Sequence, residues 1–170
     1  MDITELNDLD IQAATDAFGT CCTSKTWIEG IVQARPFKDV AHAQQAALDV
    51  WATCDEADFL QAFEGHPKIG DVSSLRKKYA NTKGLASNEQ SGVNDANEAV
   101  LQSLCDGNND YDDKNGFIFI VYATGKSAAQ MLEILQTRLP NDRKTELKNA
   151  AHEQSKITAL RINKLLGLAS

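Results

Sequence analysis

Apolar residues recur along most of the chain at intervals of three and four, the period that lines one face of an α-helix. Leu9, Ala13, Ala17 and Phe18 make the first such stripe, and Cys21-Cys22-Thr23-Ser24 breaks it. Ser24 is placed to cap a helix carrying Trp27, Ile28, Ile31 and Val32, which Pro36 closes. Val40 to Trp51 is alanine-rich, with Ala43, Ala47, Val50 and Trp51 on one face, and Asp55 can cap a short helix through Phe59, Leu60 and Phe63. Two glycines and a proline in Gly65-His66-Pro67-Lys68-Ile69-Gly70-Asp71 then stop any helix, so a rigid loop is predicted there.

Polar, loop-like sequence continues through Gly84. Ser87 or Asn88 can open a long helix whose buried stripe is Val93, Ala96, Val100, Leu101 and Leu104. Asp106 to Gly116 is acidic and rich in turn formers, and reads as an exposed loop. Phe117-Ile118-Phe119-Ile120-Val121-Tyr122-Ala123 is the one strongly extended-looking run. No second run of similar quality exists to pair with it, so it is either an isolated extended segment or the buried start of a helix. If extended, its backbone N–H and C=O groups need partners other than a sheet, and a ligand is one candidate. Ser127 caps a helix with Met131, Ile134 and Leu135. After the turn at Pro140-Asn141-Asp142, a last helix runs from about Arg143 to Leu166, with Leu147, Ala150, Ala151, Ile157, Leu160 and Leu165 assigned to its buried side. The resulting expectation is an all-α, single-domain helical bundle over residues 1–170, with one short extended apolar segment at about 117–123.

Composition sharpens this in three ways. At 170 residues and 42% hydrophobic content the chain can bury one sizeable core. A net charge of -7 argues against a nucleic-acid partner, which would normally meet a basic face, but leaves room for a small anionic substrate bound by local cations. Cys21, Cys22, Cys54 and Cys105 contain no C-x-x-C, and two of them are sequence neighbours, so reduced thiols and a cytoplasmic setting are expected. Met1-Asp2-Ile3-Thr4-Glu5 lacks the form of a signal peptide, no apolar run reaches membrane-spanning length, and Leu168-Ala169-Ser170 is not a peroxisomal address.

Candidate chemistry is concentrated in few residues. Of the three histidines, His42 and His152 lie in helices rich in polar and small residues and read as solvent-facing. His66 sits in the glycine/proline loop, which can hold an imidazole in one place for acid–base work, although a loop histidine can also be incidental. Ser87-Asn88-Glu89-Gln90 stands at a helix start. It can be a simple cap, or Glu89 can pair with His66 and set its tautomer while Gln90 offers a donor and an acceptor to a urea or amide edge. Arg161 lies four residues from both Ile157 and Leu165, beside an apolar stripe. A partly buried guanidinium needs an anionic partner, either an internal carboxylate or a substrate carboxylate. No His-Glu-x-x-His, paired-cysteine spacing, phosphate loop or dinucleotide fingerprint is present, so the signal for a metal is weak and none exists for a nucleotide.

Phe18…Cys22…Ser24…Trp27, His66-Pro67-Lys68-Ile69-Gly70-Asp71, Glu89-Gln90, the 117–123 run followed by Gly125-Lys126-Ser127, and Glu153…Lys156-Ile157…Arg161-Ile162…Leu165 together resemble the 2-oxo-4-hydroxy-4-carboxy-5-ureidoimidazoline (OHCU) decarboxylases of urate degradation. The resemblance implies an all-α, cofactor-free carboxy-lyase, acting as a homodimer on a small anionic ureidoimidazoline and yielding (S)-allantoin. It places the catalytic group on His66, Glu89 and Arg161. Substrate contacts fall on Pro67, Gln90 and the backbone of Phe119, Ile120, Val121, Tyr122 and Ala123. One departure stands out: many members carry a serine three residues before the glutamate, where this chain has Ala86, and Ser87 follows one position later. The competing readings are a neighbouring ureide activity, such as hydrolysis of 5-hydroxyisourate, and a non-catalytic helical protein-interaction module in which His66 is structural.

Overall fold

The computed structural model describes the backbone of residues 1–69, 71–79 and 90–168, and the side chains of residues 1–69, 71–79 and 97–168. Among these it has nine α-helices and no strand, in keeping with the all-α expectation. Two compact units are formed, one from Met1–His66, Ile120–Tyr122 and Leu147 onward, the other from Pro67–Phe119 and Ala123–Glu146.

The first unit contains α1 (Ile3–Asp8), α2 (Ile11–Gly19), α3 (Lys25–Gln33), α4 (Val40–Thr53), α5 (Glu56–Glu64) and most of α9 (Arg143–Leu165). Each of the first five starts on a side chain that accepts from the otherwise unpaired N–H groups of the first turn: Asp2, Asp10, Ser24, Asp39 and Asp55. Ser24 and Asp55 are the caps expected from the sequence. The core centres on Phe18, which meets Trp27 and Phe37 edge-on with ring centroids 6.0 and 6.2 Å away. Both tryptophans satisfy their indole N–H across the unit, Trp27 on the carbonyl of Ala47 and Trp51 on that of Ala151.

The buried face of α9 differs from the expected one. Its centre is Ala150, Gln154, Thr158 and Ile162, spaced by four, with Ala151 beside them; Leu147, Ile157, Leu160 and Leu165 are only half-buried. Hydrophobicity alone points to the wrong stripe because two of its central positions are polar.

In the second unit, α6 (Val72–Tyr79) occupies part of what the sequence presents as loop. Asp71 starts it by accepting from the Ser74 N–H at 2.7 Å, Leu75 is buried, and Arg76, Lys77 and Lys78 fall in the last turn, where cations oppose the helix dipole. The acidic stretch 106–116 is also not a loop: α7 (Gln90–Asn115) continues through it. The stripe begun by Leu101, Leu104 and Cys105 is extended by Asn108, Tyr111 and Asn115, all buried. Asn108 and Asn115 turn their amides back onto the carbonyls of Leu104 and Tyr111, so these turn-forming residues serve the helix. Gly107 lets α8 (Ala128–Arg138) approach, since a Cβ there would lie 2.8 Å from a Leu135 methyl. Ser127 caps α8 as expected.

Residues 117–123 form neither helix nor sheet, so the run is not the buried start of a helix. Phe117 and Phe119 meet the Tyr111 ring edge-on at 5.9 and 5.2 Å, and the Arg138 guanidinium lies 4.7 Å above Phe119. Arg138 also pairs with the fully buried Glu146 at 2.7 Å, and the same carboxylate accepts from the Tyr111 hydroxyl and the Asn141 amide.

Candidate active site

His66 follows the end of α5. Its backbone N–H donates to the Phe63 carbonyl, and Gly65 before it closes the helix on Ala62 and Phe63. Gly65 packs directly against Thr23, whose hydroxyl donates to the carbonyls of Gln61 and Ala62. The loop is therefore tied to the segment between α2 and α3, and the imidazole emerges half-buried from a fixed point.

The ring nitrogen Nε2 lies 2.6 Å from Oε1 of Gln154, 88 residues along the chain. Gln154 is fully buried, and its amide Nε2 donates to the hydroxyl of Thr158 at 3.1 Å. Burial pushes the His66 pKa below its ordinary value, the bond to Gln154 opposes this, and the Arg161 charge adds to the lowering. The ring is thus held neutral at physiological pH. Burial pushes the Cys22 thiol up to about 11, so it stays protonated.

Arg161, two turns beyond Gln154 on α9, is half-buried and donates through Nη1 to the backbone carbonyl of Cys21 at 3.1 Å. Among the described residues no carboxylate pairs with it, so the internal partner that could have neutralised it is absent there. About two turns earlier on the same helix, Glu153 accepts from the Tyr122 N–H at 2.6 Å. That bond answers part of the backbone requirement of the extended run and fixes Ile120–Tyr122 beside α9.

Of the residues picked out from sequence, the structure brings His66, Arg161 and the Ile120–Tyr122 backbone into one unit. Ile120 is buried there, whereas Val121, Tyr122 and Ala123 are half-buried. Pro67 is exposed. The Phe119 side chain is taken up by Tyr111 and Arg138. Ala86, Ser87 and Glu89 lie outside the described residues, and Gln90 is described only as the start of α7. His42 and His152 face solvent, as expected. All four cysteines are free.

Gln154 and Thr158 escaped the sequence reading, and Glu153 stands in the family pattern without a role. A signal existed: Gln154, Thr158 and Arg161 stand at i, i+4 and i+7, one face of a helix, but polar residues there looked like solvent positions. Among the described residues no group of three His, Cys, Asp or Glu could hold a metal ion, and no helix is long and apolar enough to cross a membrane.

Comparison with known proteins gives a consistent result. A crystal structure of an OHCU decarboxylase in the presence of (S)-allantoin superposes with a TM-score of 0.71 at 33% identity, covering 89% of this chain and 98% of that one. The uric acid degradation bifunctional protein TTL of Arabidopsis thaliana is 33% identical over 91% of the chain, which spans 48% of that protein's length. The 2-oxo-4-hydroxy-4-carboxy-5-ureidoimidazoline decarboxylase of Halalkalicoccus jeotgali is 24% identical, over 96% of this chain and 90% of its own. The sequence pattern of the OHCU decarboxylases matches residues 7–163, and the chain belongs to that family.

Proposed function

We propose that the chain decarboxylates 2-oxo-4-hydroxy-4-carboxy-5-ureidoimidazoline to (S)-allantoin, with no metal or organic cofactor. The observation that carries this is a neutral, positionally fixed His66 in the same unit as an Arg161 that no described carboxylate neutralises. Family membership supplies the reaction class.

In the substrate, C4 bears both a hydroxyl and a carboxylate, next to the C5=N bond. When the C4–carboxylate bond breaks, its electron pair forms C4=C5 and the C5=N pair moves to nitrogen, which takes a proton. Carbon dioxide leaves. The C4 hydroxyl then gives up its proton as the C4 carbonyl forms, and C5 takes a proton on one face, giving one enantiomer. His66 accepts the hydroxyl proton and is a carrier for its return to C5. Arg161 binds an anionic or carbonyl group of the substrate and orients the carboxylate. The backbone at 120–123 and the Pro67 position meet the ring amides, and Phe119 contributes through its main chain. By resemblance, Glu89 poises His66, while Gln90 and Ser87 contact the ureido group. The same resemblance extends the proposal to a homodimer in the cytoplasm acting as one domain; light scattering of the purified chain tests the dimer.

The decisive measurement follows product handedness by circular dichroism with freshly prepared substrate. The wild-type chain should accelerate formation of optically active allantoin, and His66→Ala should leave the slow, racemic background. Near-wild-type rates of optically active product from His66→Ala would overturn the assignment of His66. A wild-type chain that changes neither rate nor handedness would overturn the activity itself and favour an interaction module.

A further inference from the structure

The proton acceptor on His66 can be assigned to one atom. The Oε1 of Gln154 has only lone pairs to offer, so the ring nitrogen 2.6 Å from it must carry the hydrogen. A neutral imidazole has one N–H, which leaves Nδ1 bare. We propose that Gln154 is a positioning residue that locks His66 in the Nε2–H tautomer, making Nδ1 the atom that takes the substrate proton. This rests on the decarboxylase reading for its consequence, not for its geometry.

Three features make the lock effective. Gln154 is 0% and Thr158 5% exposed, so water does not compete for the amide. The amide is held at both ends, by the ring at Oε1 and by the Thr158 hydroxyl at Nε2, which fixes its place beside the ring. Among the described residues the charged group acting on the ring is Arg161, which disfavours the doubly protonated form in which Nδ1 would have no lone pair. Glutamine suits the position because it accepts from imidazole without a charge. A carboxylate there would draw a proton onto the ring and hold it.

The test combines nitrogen NMR of the His66 ring with kinetics. The ring signal is identified by its loss in His66→Ala and recorded above the ordinary histidine pKa. The wild type should show the Nε2–H tautomer. Gln154→Glu keeps an acceptor, so the tautomer should persist while the acid limb of kcat moves to higher pH. Gln154→Leu removes it, so the ring should become a tautomer mixture and kcat should fall by about ten- to a hundred-fold with little change in KM, within the usual range of an acid–base contribution. An Nδ1–H ring in the wild type would overturn the assignment, as would Gln154→Leu with wild-type kcat and tautomer. Should Gln154→Leu fail to fold, the wild-type spectrum and the pH shift of Gln154→Glu decide by themselves. Absence of decarboxylation by the wild type would sink the functional reading without touching the tautomer, so the two failures are distinguishable.

Discussion

Gly65 and Thr23 approach so closely that a Cβ on Gly65 would lie 2.5 Å from the Thr23 hydroxyl oxygen. Thr23 cannot simply swing aside, because that hydroxyl donates to Gln61 at 2.9 Å. Gly65→Ala therefore has to move the loop that carries His66. The expected cost is about 1–3 kcal/mol of stability, typical of overpacking, with a larger proportional fall in kcat than in thermal midpoint. Thermal unfolding and steady-state kinetics on the same preparation check it.

Arg161 spends one donor on the Cys21 carbonyl and has no described carboxylate partner. Its replacement by Gln should leave the fold intact and lower kcat/KM by roughly ten- to a hundred-fold, the equivalent of one hydrogen bond to a charged group. Arg161→Lys should recover only part of this, since a single ammonium cannot reproduce a bidentate contact. Rates on fresh substrate, with unfolding midpoints as control, decide the matter.

The lowered pKa of His66 fixes a pH window. The folded ring stays neutral below 6.5, where the unfolded ring takes up a proton. Its contribution to stability is therefore complete above 6.5 and is lost as pH falls from there through the folded-state value. Activity should follow the same direction, with an acid limb whose midpoint lies below 6.5. A midpoint above 6.5 in the kcat/KM profile would contradict it.

Glu146 and Arg138 are a buried pair, 0% and 9% exposed at the side chain, and the carboxylate also holds the Tyr111 hydroxyl. Arg138→Met should destabilise by about 3–5 kcal/mol, because it strands a buried carboxylate. Replacing Arg138 and Glu146 together by apolar residues should cost much less than that single change. Denaturant titrations of the two variants make the comparison.

Burial raises the thiols of Cys21, Cys22 and Cys54, the last two to about 11. Iodoacetamide near neutral pH should leave Cys21 and Cys22 unlabelled in the folded chain and label them in denaturant. Mass spectrometry of the two digests reads this directly.

Most of the helical layout was legible before the structure, and the sequence names His66 and Arg161, which the structure holds in one unit. Ser24, Asp55 and Ser127 are caps that residue type and position reveal together. What escaped had a common cause. Asn108 and Asn115 were read as turn formers, yet their side chains close on the helix's own carbonyls. Gln154 and Thr158 were passed over because polar residues on a helix are ordinarily solvated. Only the partner 88 residues away shows why the glutamine is inside. The 117–123 run reads as an isolated extended segment or the buried start of a helix, and its anchor, the Glu153 carboxylate, cannot be paired with Tyr122 from sequence spacing.

The polar centre of α9 also bears on how this protein could be improved. Its neighbours along the same stripe, Ala150 and Ile162, are hydrocarbon and fully buried. Residues 154 and 158 are where a purely structural helix would carry hydrocarbon too. Libraries selected only for heat resistance should accumulate aliphatic replacements at these two sites, and those gains would come at the expense of turnover. Selection on product handedness should run the other way and retain the amide, so the two screens, applied to one library, should part company at residues 154 and 158.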